Sequence, residues 1–172
     1  MYHFIFQLAS IYCFIKCSPL NYLEFIFYWY LFAHFSSCCS IEKIDKLGDW
    51  ITENLQEPII QIDHFFIPGV YVRVGFLPAD SILTGKIHNY ECINIVAKGK
   101  ISVATKEGFT QLEAGAIFNT PAGTKKAGYV IEDTVFITVH GCDKTNIEEV
   151  ENYLSSDTYE DYLLKMRGLT CL

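Results

Sequence analysis

Five side chains between residues 64 and 140 could ligate a metal: His64, His88, Glu91, Cys92 and His140. Imidazole nitrogen and thiolate sulfur together suit soft or borderline ions such as zinc. His88 and Cys92 stand four residues apart, which on a straight strand is roughly 13 Å. They can meet on one ion only if residues 89–91 form a loop. Tyr71, Arg73 and Lys126 add a different capacity. A phenol and a guanidinium suit a planar or phosphorylated ligand, and an ammonium can grip an anionic one. With His88, Glu91 and Cys92 they make up a candidate ligand pocket, and Tyr129 is a further candidate for its mouth.

Each residue also has a plainer reading. His88 could be a hydrogen-bonded core imidazole. Cys92 could be a small buried hydrophobe. Glu91 could be a solvated turn residue, and His64 and His140 could sit at strand ends near the surface. Lys125 and Lys126 read first as surface charge. A Cys92–His88 nucleophile pair is conceivable, but nothing identifies the third group that would orient it. The chain has no Walker loop, no dinucleotide-binding glycine motif and no G-x-S-x-G.

These side chains need a scaffold, and its signal is a period of two. Apolar and β-branched runs occupy residues 59–66, 70–77, 81–83, 93–97, 101–104, 109–113, 116–120, 127–131 and 134–140. Turn residues separate them: Pro68-Gly69, Pro78-Ala79-Asp80, Lys98-Gly99-Lys100, Lys106-Glu107-Gly108, Pro121-Ala122-Gly123 and Glu132-Asp133. Many short strands at such spacing predict a sandwich or barrel. Upstream, Ile41, Ile44, Leu47 and Ile51 repeat at helical spacing behind Ser40, a candidate cap. Downstream, Thr145-Asn146-Ile147-Glu148 and Asp157-Thr158-Tyr159-Glu160 read as capping boxes for two more helices. Those helices could cover a sheet edge or mediate a dimer. The expected division is a hydrophobic extension (1–40), an amphipathic helix (41–57), a barrel (58–141) and C-terminal helices (142–172).

Residues 115–123 run Gly115-Ala116-Ile117-Phe118-Asn119-Thr120-Pro121-Ala122-Gly123, which fits G-x5-P-x-G. The stretch from Pro78 through His88 to Gly99 is laid out like its companion motif. On these residues the chain resembles the cupin superfamily, a double-stranded β-helix. Residues 64–73, 83–91, 96–103 and 121–140 are similar to small cupin-like proteins of tailed bacteriophages, over about residues 55–165. The resemblance implies an all-β jelly-roll barrel with flanking helices. A metal cupin supplies two His and a Glu from the first motif and a His from the second. Counted from the fixed glycines, those positions fall on Lys86, His88, Cys92 and Lys126. Only His88 keeps the family's ligand type, and an ammonium has no lone pair to donate. The resemblance therefore implies that the standard metal set is largely replaced, and leaves the five-residue set above as a variant site.

Composition sets the outer bounds. The net charge of −7 argues against a nucleic-acid backbone as partner. Seven cysteines without regular spacing give no disulfide framework, so reduced thiols and a cytoplasmic setting are expected, in a host cell if the protein is viral. Residues 1–40 hold 13 of the 26 aromatic residues but only one Lys and one Glu. Their apolar runs are shorter than the roughly 20 residues that span a bilayer. Three readings stay open: an anchor made from residues 20–35, a segment packed on the domain or a partner, and an over-extended reading frame. The abrupt change in composition favours the third. Against it, no Met near residue 41 offers another start.

The leading expectation is a non-catalytic, phage-like barrel that binds a small molecule or a protein partner, as a homodimer. The first alternative is a metal-dependent enzyme, an isomerase or oxygenase, using a variant His/Glu/Cys site with a divalent ion such as zinc, iron or manganese. The second is a membrane- or virion-associated interaction module.

Overall fold

In the computed structural model, residues 40–55, 58–105 and 108–168 are described. The hydrophobic extension over 1–39, and with it the proposed anchor at 20–35, lies outside the described residues. Helix α1 (Ile41–Asn54) follows Ser40, whose backbone carbonyl, not its side chain, receives the first amides. It buries Ile44 and packs on β3, where Gly48 lies against Thr84.

Nine strands follow among the described residues: β1 (Gln61–Ile67), β2 (Val70–Leu77), β3 (Ile82–Thr84), β4 (Ile87–His88), β5 (Cys92–Thr105), β6 (Gly108–Glu113), β7 (Ile117–Thr120), β8 (Ala127–Gly141) and β9 (Ser155–Ser156). The main sheet runs β1-β2-β8-β5-β6, with β3 added to β8 and β7 added to β5. All pairings are antiparallel.

The long strands β5 and β8 do the shaping. The sequence reading expects four strands here, with turns at Lys98-Gly99-Lys100 and Glu132-Asp133. Instead each pair is one continuous strand, and the two break register together between Val96 and Ile101. Gly99 has φ +80, and a Cβ there would lie 2.3 Å from the Asp133 carbonyl oxygen. A left-handed glycine serves a bulge as well as a hairpin. Thr134 locks the corner, its hydroxyl donating to the carbonyls of Glu132 and Lys100 (2.7 and 3.2 Å). The bend gives two half-sheets that share β5 and β8. One pairs β1, β2, the end of β8, the start of β5, and β7. The other pairs β3, the start of β8, the end of β5, and β6. Bulges that bend shared strands are how a sheet rolls toward closure. The expected class is met in its architecture: mostly antiparallel strands bent toward a barrel, with flanking helices.

Among the described residues, two apolar clusters hold the halves. Val96, Ile101, Val103 and Val130 form one, flanked by Leu77, Leu83 and Phe136. Tyr71, Cys142, Val150 and Leu154 form the other. Burying each such aliphatic chain stabilises by about 1.5–3 kcal/mol.

The second cluster docks helix α2 (Ile147–Leu154), and α3 (Tyr159–Met166) follows β9. Both caps sit one residue later than the sequence reading places them. Asn146 accepts from the amides of Glu148 and Glu149, and Thr158 accepts from that of Asp161. Asn and Thr each have a side-chain oxygen at the right reach. Ile147, at the start of α2, is exposed.

Candidate functional site

Alternation assigns the inner face of the first half-sheet. Cys92, Asn94 and Val96 of β5 share it with Phe136, Thr138 and His140 of β8, and with Tyr71 and Arg73 of β2. Thr120 of β7 faces the same side, paired with Cys92.

His88 reaches this face from β4. Its backbone is clipped to the turn before β8: its amide donates to the Thr124 carbonyl, and its carbonyl accepts from Gly123. On the other edge β4 pairs with β9. The chain then bends through residues 89–91, which meets the loop condition stated above. Asn89 pins that bend. It is buried, its amide group donates to the Tyr153 carbonyl (2.9 Å), its oxygen accepts from Ser156 (2.7 Å), and its backbone amide donates to Leu154. The C-terminal segment thus positions His88.

The bend brings the His88 Nδ1 to 3.5 Å from the Cys92 Sγ. The His140 ring stacks on His88 with centroids 6.0 Å apart and planes at 18°. One ligand atom from each of His88, Cys92 and His140 lies within 4.8 Å of the others. His140 Nδ1 is buried and has no hydrogen-bond partner among the described residues. Burial, with the positive charge of Lys126 behind it, pushes the His88 pKa down to about 3 and that of His140 to about 4. Both imidazoles are therefore neutral, with free lone pairs, at physiological pH. Burial also pushes the Cys92 thiol up, while Lys126 opposes that shift.

Lys126 points inward. Its ammonium donates to Thr120 (2.9 Å) and Asn94 (3.3 Å) and lies 5.7 and 5.8 Å from the ring centres of Phe118 and Phe136. Burial lowers its pKa to about 8. Asn94 ties the floor together, donating to Thr120 (2.7 Å) and accepting from Thr138 (3.4 Å).

Other candidates lie apart. His64 is on edge strand β1, two strands from His140, and its Nδ1 is paired with the Tyr71 hydroxyl at 2.8 Å. Glu91 is exposed and accepts from Asn119 (2.8 Å), because it follows the bend and faces away from Cys92. Tyr71 is buried under α2, with His64 and His140 stacked on either side of its ring. Burial raises its pKa. Arg73 is exposed at the rim, and its charge reaches His88 and His140. Tyr129 sits away from the mouth, bonded to Asp80. Lys86 lies outside, paired with Asp157 at 2.9 Å, and Lys125 pairs with Asp45 of α1. Asn89, Asn94, Thr120 and Thr138 were not singled out by the sequence reading. The alternation Cys92-Ile93-Asn94 held the signal for Asn94.

No family model and no curated protein sequence matches the chain. Among solved structures it is similar to KdgF from Halomonas sp., at 20% identity and TM-score 0.44, over 48% of this chain and 78% of that one. It is similar to the EutQ protein of Clostridium difficile at 17% identity and TM-score 0.43, over 50% and 70%. A cupin superfamily protein from Desulfitobacterium hafniense gives 9% identity and TM-score 0.45, over 52% and 84%. These likenesses concern fold alone.

Proposed function

We propose that the barrel is a binding module for a soft divalent metal ion of the zinc class, held by His88, Cys92 and His140. The observation that carries this reading is the convergence of three such donors around an orphaned, buried imidazole nitrogen. The spacing supports it. Sulfur and nitrogen ligands on one tetrahedral zinc stand about 3.6 Å apart, given usual bond lengths, and His88 Nδ1 and Cys92 Sγ are 3.5 Å apart. Two neutral imidazoles and a thiol that ionises on binding are the donor types zinc takes. A three-ligand site leaves one position open, where the ion would supply Lewis acidity. No reaction is assigned. A phage-like origin, implied by the resemblance over residues 55–165, is compatible with such a binding role.

Elemental analysis of the purified full chain tests the proposal. We expect one zinc per chain, and loss of most of it in His88→Ala and in His140→Ala. Replacement by cobalt should give a thiolate-to-metal absorption band that Cys92→Ser abolishes. Metal well below one per chain, indifferent to His88→Ala, ends the reading.

A second reading rests on Lys126, a buried ammonium aimed at the same space, with Arg73 at the rim. It makes the occupant a small anion, not a metal. Native mass spectrometry separates the two: an anion retained after chelation and lost in Lys126→Met favours the second.

A further inference from the structure

Lys126 and its neighbour Lys125 have opposite settings. Lys125 pairs with Asp45 of α1, as Lys86 does with Asp157 and Lys165 with Asp161. Among the described residues no carboxylate stands within ion-pair distance of Lys126. Its amine bonds instead to the neutral oxygens of Thr120 (2.9 Å) and Asn94 (3.3 Å), beside the rings of Phe118 and Phe136. The turn that carries it is fixed. Gly85 donates to the Lys126 carbonyl (2.9 Å), and His88 donates to that of Thr124 (3.0 Å). The metal reading gives this amine no task, because an ammonium has no lone pair to donate.

Register sets Arg73, Thr138, Asn94 and Phe118 in one row across the inner face. Lys126 meets that row at Asn94, and Arg73 stands two strand spacings away, about 10 Å. No Asp or Glu of the described strands shares this face of the half-sheet. The row therefore joins an amine at one end to a guanidinium at the other.

We propose that Lys126 is a nucleophile that forms an imine with a small ketone or aldehyde bearing a carboxylate, and that Arg73 receives the carboxylate. A lysine desolvated among apolar groups is the setting in which amines attack carbonyl carbon. A guanidinium fork matches a carboxylate in shape and charge. The step balances without a further reagent. The nitrogen lone pair forms the C–N bond, and the carbonyl oxygen takes a proton from the nitrogen, for which the Thr120 hydroxyl is in place to relay. The resulting carbinolamine expels water as the C=N bond forms. The two phenyl rings help to keep water from that bond, which water would hydrolyse. The inference needs no metal. It shares an anionic ligand with the second reading above and adds a covalent bond to it.

Reductive trapping tests it on the full chain, with chelator present. The probe is 4-oxopentanoate with cyanoborohydride, and 2-pentanone serves as the uncharged counterpart of equal length. One reduced adduct per chain is expected, and peptide mapping should place it on Lys126. Trapping of 2-pentanone should be slower by about tenfold or more, and Arg73→Leu should remove that difference. Lys126→Arg keeps the charge and loses the nucleophile, so it should abolish the adduct. Thermal unfolding checks that both variants fold, and the mapping on wild type decides the matter if either does not. Adducts spread over surface lysines, or a single adduct elsewhere, overturn the proposal. Equal trapping of both probes overturns the role of Arg73. Native mass spectrometry without reductant separates the two anion readings. If 4-oxopentanoate is retained by wild type and by Lys126→Arg alike, with no adduct in either after reduction, the anion reading stands and the imine falls. If nothing is retained and nothing is trapped, both fall.

Discussion

The two faces of one half-sheet are written by the same strands in alternate residues, and they are opposites. Along β8, Phe136, Thr138 and His140 point in while Val135, Ile137 and Val139 point out. Along β5, Cys92 and Asn94 point in while Ile93 and Ile95 point out. The buried face carries most of the hydrogen-bonding and titratable groups, and the outer face is mostly hydrocarbon, with Asp63 and Asn119 on its edge strands. A buried polar face is tolerated only where its groups pair with one another. Here Asn94, Thr120, Thr138 and Lys126 do so, and the unpaired His140 Nδ1 stands out against them. A satisfied floor with one orphan above it is the contrast on which the proposed metal site rests.

The largest effect should come from breaking the corner that creates both faces. Gly99→Ala places a methyl against the Asp133 carbonyl in a left-handed backbone. Relief requires β5 and β8 to part, so a loss of about 3 kcal/mol or more is expected. Thermal unfolding reads it, and a midpoint within a degree or two of wild type would show that the corner is not required.

Acid separates the faces next. His88 and His140 stay neutral in the fold down to about pH 3 and 4, but take up a proton near 6.5 once unfolded. Below 6.5 the unfolded chain binds more protons, so stability falls with pH. This contribution is whole above 6.5 and is lost as pH drops through about 4 and then about 3. With chelator present, the unfolding midpoint of wild type should fall more steeply toward pH 4 than that of His140→Gln. Outer-face variants should keep the wild-type slope. Equal slopes in wild type and His140→Gln would refute the account.

Neighbouring residues sharpen the contrast. Asn94→Leu removes the partner of Thr120, Thr138 and Lys126 in a buried space and should cost about 2–3 kcal/mol. Ile95→Thr, one residue on and facing out, should cost under about 1 kcal/mol when measured on dilute protein. If the order reverses, the faces are misassigned.

Much of this was legible in the chain, and the failures share one cause. Alternation placed the strand runs of the main sheet within a residue or two, because side-chain period is a local property, but it gave no sign of the two-residue strands β4 and β9. It could not distinguish a bulge at Gly99 from a hairpin, since the atom that decides, the Asp133 carbonyl oxygen, is 34 residues away. The same limit governs the site. Parity says which face His64 occupies, but not that strand β2 separates it from His140. Glu91 and Cys92 are adjacent in sequence, so one of them had to face away. Asn89 gave no sign at all, because its partners are Tyr153 and Ser156 in the C-terminal segment.

That segment supplies the mildest test of the comparison. Asn89 bonds to Tyr153 and Ser156 in the C-terminal segment, yet it fixes the bend that lets His88 meet Cys92 and His140. It is a positioning residue. Asn89→Ala should cost about 1–2 kcal/mol of stability and, if His88 ligates zinc, weaken that binding roughly ten- to hundredfold, as outer-shell partners do. The two readouts separate position from mere folding. A control such as Lys86→Met, which removes an exposed ion pair to Asp157 on the same β4–β9 edge, should change stability by under about 0.5 kcal/mol and leave zinc affinity unchanged. If Asn89→Ala loses stability but keeps wild-type zinc affinity, His88 is held by β4 alone, and the C-terminal helices serve the barrel and not its site.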